Sequence, residues 1–152
     1  MRILVIGLFA CLSLLSCKKG GPAASNEPVG DDPQALEKQL MALHDQVMPK
    51  LNDIQHLSSD MRKIKATVKE DEAGRLLDPD GMDSRLDALK LAEQGMWDWM
   101  KQYHDQRDSI PADQLAYFMK KQIGLLNSVN MGIDSSIVKA KKWLAQYNAN
   151  GK

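Results

Sequence analysis

Between Leu36 and Val68 apolar side chains return every three or four residues: Leu36, Leu40, Leu43, Val47, Leu51, Ile54, Leu57, Met61, Ile64 and Val68. That period belongs to one face of an α-helix and is incompatible with the two-residue alternation of a strand. Pro49 interrupts the run, removing one backbone donor and crowding the preceding turn. Because the stripe keeps its phase on both sides of the proline, the spacing predicts one bent helix of about 35 residues. Asp31 and Asp32 stand where a helix start needs acceptors for its free amides, and Pro33 suits the first helical position.

Two further stripes can cover this face. Met82, Leu86, Leu89, Met96, Met100 and Tyr103 form the second, expected to begin near Pro79 and end near Arg107. The third follows "RDSIPADQ" at Arg107 to Gln114 and runs through Leu115, Phe118, Leu125, Val129, Ile133, Ile137, Ala140, Leu144 and Tyr147. Gly124, Gly132 and the Ser135-Ser136 pair weaken it, which predicts a local break around Asn130 to Asp134 as an alternative. "EDEAGRLLDPDG" at Glu70 to Gly81 separates the first two stripes. A calcium loop counted from Asp78 would need a glycine at its sixth position, where Asp83 stands, so a turn with capping aspartates is the better reading. No alternating Val, Ile or Thr run occurs. The expected fold is all-α: an antiparallel bundle of three long helices, four if the last one breaks, coiled-coil-like and spanning residues 33–150.

The residues before the bundle speak to location. Met1 and Arg2 precede "ILVIGLFACLSLL", an uncharged run of 13 residues. A membrane-spanning helix needs about 20 apolar residues, so the run reads as the core of a secretory signal. "LLSC" at Leu14 to Cys17 resembles the lipobox of bacterial lipoproteins, in which the cysteine becomes the acylated first residue of the mature chain. The resemblance makes residues 1–16 a lipoprotein signal peptide and Cys17 the lipidation site. Residues 17–32, with "KKGGPAASNEPVGDD" after the cysteine, lack apolar periodicity and read as a flexible tether. As a random coil its 15 residues span roughly 20 Å. Lys18 and Lys19 supply no acidic sorting signal, and by resemblance to lipoprotein sorting the expected location is the cell envelope, at the outer membrane facing the periplasm.

Loss of Cys11 with the signal and acylation of Cys17 would leave no thiol, hence neither a disulfide nor a catalytic cysteine. The 20 basic and 20 acidic side chains balance, which favours neither nucleic acid nor a polybasic grip on lipid. Enzyme signatures are missing: there is no Gly-rich phosphate loop, no activated serine and no zinc-type Cys/His spacing. "HDQ" occurs at His44 to Gln46 and at His104 to Gln106, and a His-Asp dipeptide can belong to a metal-dependent hydrolase. Such sites need a further separate His and Asp, and His56 is the one other histidine. Neighbours on a helix point about 100° apart, so His44 and Asp45 are not expected to act as a base and its orienting group.

The lipobox, the short linker, "HDQVMPK" in the first helix and "MWDWM" in the second together resemble a family of short bacterial lipoproteins. Its members often carry the label "viral A-type inclusion protein", which reflects generic coiled-coil similarity. The resemblance implies the bundle and the compartment and no activity.

The functional expectation is a non-enzymatic envelope lipoprotein with a structural or protein-binding role, meeting the membrane through its N-terminal lipid and a protein partner or itself through its helical faces. Trp97 and Trp99 project to different sides of one helix, so at most one joins the core, and Trp99 is expected to be partly exposed. The alternative is a periplasmic site for Cu(I) or Ag(I). If antiparallel residues whose numbers sum to about 148 lie level, His44 faces His104 and Met48 faces Met100. Met41, His44 and Met48 share one helical face, as do Met96, Met100 and His104. Thioethers and imidazoles suit soft ions, whereas ordinary packing would use the same methionines as gap fillers beside Pro49.

Overall fold

The computed structural model describes residues 30–67 and 81–150. Helix α1 spans Pro33–Thr67, α2 Met82–Arg107 and α3 Leu115–Asn150, with a short 3-10 turn at Ala112–Gln114 before α3. The described residues contain no strand, as the periodicity requires. The expected signal peptide, Cys17, the tether up to residue 29, and Pro79 with most of the turn before α2 lie outside the described residues.

Cross-helix pairs give the topology. Lys65 at the end of α1 meets Asp83 at the start of α2 (2.5 Å), and Glu37 at the start of α1 meets Arg107 at the end of α2 (3.0 Å), so these helices are antiparallel. Lys120 pairs with Asp31, Lys50 with Asp134 and Lys141 with Asp53, so α3 lies parallel to α1. α3 packs broadly against both other helices, while α1 and α2 touch each other less. At 1.5 Å per residue, α1 is about 52 Å long.

The start of α1 is built as its sequence predicts. Both carboxylate oxygens of Asp32 accept backbone N–H bonds, from Gln34 and Ala35, each at 3.2 Å. The Asp32 carbonyl accepts the amide of Leu36. The helix continues through Pro49 without interruption, because buried residues on both sides of it, Val47 and Leu51, hold the chain to the core.

The core is a row at seven-residue intervals on each helix. Leu40, Val47, Ile54 and Met61 form it on α1, Met82, Leu89 and Met96 on α2, and Met119, Leu126, Ile133 and Ala140 on α3. A strict seven-residue apolar repeat is the signature of left-handed coiled-coil packing. Two expectations for α3 change accordingly. Leu125 is 40% exposed and its neighbour Leu126 is fully buried. The expected Phe118, Ile133, Ile137 and Ala140 are buried, and the stripe misses only at Leu125, because Gln122 and Ser136 hold buried positions in the same pattern without looking apolar. Nor does α3 break at Asn130 to Asp134. Lys50 Nζ donates to Asn130 Oδ1 (2.7 Å) and to Asp134 Oδ1 (2.6 Å), tying that stretch to α1. Each interior glycine costs about 1 kcal/mol, less than the roughly 1.5–3 kcal/mol gained for each large side chain buried there. Leu43, expected in the core stripe, packs on its edge and is half-buried.

Candidate functional site at the α1/α2 seam

Polar and aromatic chemistry concentrates where the first half of α1 faces the second half of α2. Glu37, Met41, His44 and Met48 recur at spacings of three and four along one flank of α1. Across the seam α2 presents Met96, Trp99, Met100, Tyr103 and Arg107. An aromatic column crosses all three helices at this level. The His44 ring lies 6.1 Å from Trp99 at 35°, Trp99 stacks on Tyr103 at 5.5 Å, and Tyr103 stacks on Phe118 of α3 at 6.0 Å.

Trp99, expected to be partly exposed, is 5% exposed and belongs to the core, whereas Trp97 is 51% exposed. Trp99 follows Met96 by three residues and precedes Tyr103 by four, which puts it on the buried face, and Trp97 falls about 100° round from Met96. The indole Nε1 of Trp99 and Oε1 of Gln122 are both buried without a hydrogen-bond partner among the described residues.

An ion pair closes the end of the seam. Arg107 donates to Glu37 through Nε (3.0 Å) and Nη2 (3.1 Å), one bond to each carboxylate oxygen, and the Tyr103 hydroxyl donates to Oε1 (3.1 Å). The Arg107 bond holds the Glu37 carboxyl below its ordinary value of 4.5, against the opposing effect of burial. Burial, followed by the charge of Glu37, pushes the Tyr103 hydroxyl up. A carboxyl depressed in the folded state stabilises the fold above its unfolded value, and that contribution disappears as pH falls through the folded one. Glu37→Gln should therefore flatten the loss of stability below about pH 4.5 in thermal melts. An unchanged acid slope would remove Glu37 from that response.

Register decides which of the expected site residues meet. Near the turn it is as expected, with Lys65 against Asp83 and Gln55 against Glu93. Beyond Pro49 it shifts by about one turn, and His44 lies level with Trp99 instead of His104. The change falls across the one position in α1 where the backbone ladder must lose a donor. His104 is exposed, five residues or about 7.5 Å further along α2. Met41, Met48 and Met100 are half-buried against the core, and Met96 is fully buried.

His44 and Asp45 do pair, against expectation: Nδ1 of the ring lies 3.0 Å from Asp45 Oδ1. The contact forms at the helix surface, where the Asp45 side chain is exposed. Among the described residues no three His, Cys, Asp or Glu side chains converge in a way that could hold a metal ion. A second feature, on the opposite flank of α2, is a shallow groove lined by Ala88, Leu91, Ala92, Gly95, Val129 and Gly132. Comparison with protein-family models, curated proteins and solved structures yields no match.

Proposed function

We propose that this protein is a lipid-anchored component of a bacterial cell envelope, held at the outer membrane facing the periplasm, whose helical bundle acts by contact and not by catalysis. The observation that carries the reading is Cys17 placed directly after Leu14-Leu15-Ser16, at the end of an uncharged run too short to span a bilayer. Among the described residues no helix is long and apolar enough to cross a membrane, which leaves the lipid as the anchor on this reading. The bundle suits a binding or structural role because Leu91, Trp97, Tyr117, Met131 and Val138 are exposed on α2 and α3. Aromatic and methionine side chains of this kind are enriched where proteins meet. Light scattering separates self-association from capture of a different partner.

The direct test is the intact mass of the protein extracted from membranes. The expected result is a chain beginning at Cys17 and carrying the mass of acyl groups. A mature N-terminus elsewhere, or an unmodified Cys17, would sink the anchor.

A further inference from the structure

His44 is held in the way metal-bound histidines usually are. Against a carboxylate, which can only accept, Nδ1 is the donor in this contact, and a neutral ring in that tautomer carries its lone pair on Nε2. A carboxylate on the second ring nitrogen is the common means of orienting a metal-ligating imidazole and raising its basicity. The His44 side chain is 25% exposed, so it sits at the rim of the seam, open to an entering ion yet mostly shielded from water.

The methionines of the bundle divide by burial, and the less buried ones stand near His44 in helical spacing. Met61, Met82, Met96 and Met119 occupy buried core positions. Met41, Met48 and Met100 pack against that core from half-buried positions on α1 and α2, where part of each side chain stays accessible. Met41 and Met48 stand three and four residues from His44 on the same flank, and Met100 adjoins Trp99, the residue whose ring faces His44. We propose that His44 Nε2 with the thioethers of Met48 and Met100 forms a binding site for a soft monovalent metal ion, Cu(I) or Ag(I), with Met41 and Met96 beside it. Thioether sulfur and imidazole select such ions over hard cations. The indole face of Trp99 adds cation–π attraction to a positive charge held next to it. The site takes no contribution from His104. It stands whether or not Cys17 is acylated.

The test is anaerobic competition for Cu(I) against a chromogenic chelator. It uses the full chain in non-ionic detergent, with Cys11→Ser and Cys17→Ser in every sample so that no thiol competes. This background should take up about one Cu(I) per chain, at a stoichiometry set by the single imidazole. Asp45→Asn should weaken binding about 10- to 100-fold, the usual effect of losing an orienting partner. Met48→Leu with Met100→Leu nearly conserves volume, so the fold should persist while binding falls by at least as much. Met61→Leu should bind as the background does. Independently, Ag(I) should shift the His44 ring resonances in NMR spectra and leave those of His56 and His104 in place. No copper drawn from the chelator, equal binding by the double methionine variant, or Ag(I) shifts at His104 and not at His44 would each overturn the site.

Discussion

Trp99→Ala should destabilise the bundle by about 3 to 5 kcal/mol, the range for deleting a large buried aromatic. Trp97→Ala, two residues earlier, should change stability by no more than about 0.5 kcal/mol. The contrast follows from burial: Trp99 is 5% exposed and Trp97 51%. Trp99 also carries the stacking that links α1 to α3, since its ring faces both His44 and Tyr103, and Tyr103 stacks on Phe118. Stacked pairs contribute about 0.5 to 1.5 kcal/mol beyond the area they bury. Urea titrations at constant slope measure the difference. Similar losses for the two variants would mean that the buried face of α2 is wrongly assigned.

Cys17→Ala should abolish membrane attachment or leave the precursor unprocessed. Each buried methylene of an acyl chain contributes about 0.8 kcal/mol to membrane binding, so stable anchoring requires the full set of chains. Among the described residues no helix is long and apolar enough to cross a membrane. The protein's charges balance at 20 basic and 20 acidic, so electrostatic adhesion to anionic lipid would be weak. Membrane fractionation with a gel assay for processing reads both outcomes. A variant that is processed normally and still sediments with membranes would refute the anchor.

Much of α1 was legible in the sequence. Asp32 caps it, Pro33 begins it, and the apolar stripe carries it through Pro49. The end of α2 at Arg107 was equally plain. In α3 the apparent stripe chose Leu125 over Leu126, because the buried Gln122 and Ser136 hide the seven-residue repeat. Met119, Leu126, Ile133 and Ala140 do stand seven residues apart in the sequence, and all four are fully buried. The candidate site was only half legible: Met41, His44 and Met48 share a flank by spacing alone, yet their counterparts on α2 depend on register.

The sequence by itself determined the helices and the all-α class, since the period of apolar residues and the capping groups act within one turn of their own chain. Tertiary structure alone decided the level at which the helices meet. Sliding α2 by one turn would preserve its apolar stripe, and local spacing cannot tell the two registers apart. That choice rests on pairs between distant residues, Glu37 with Arg107 and Tyr103, and Lys50 with Asn130 and Asp134. Through it His44 came to lie against Trp99 and not His104.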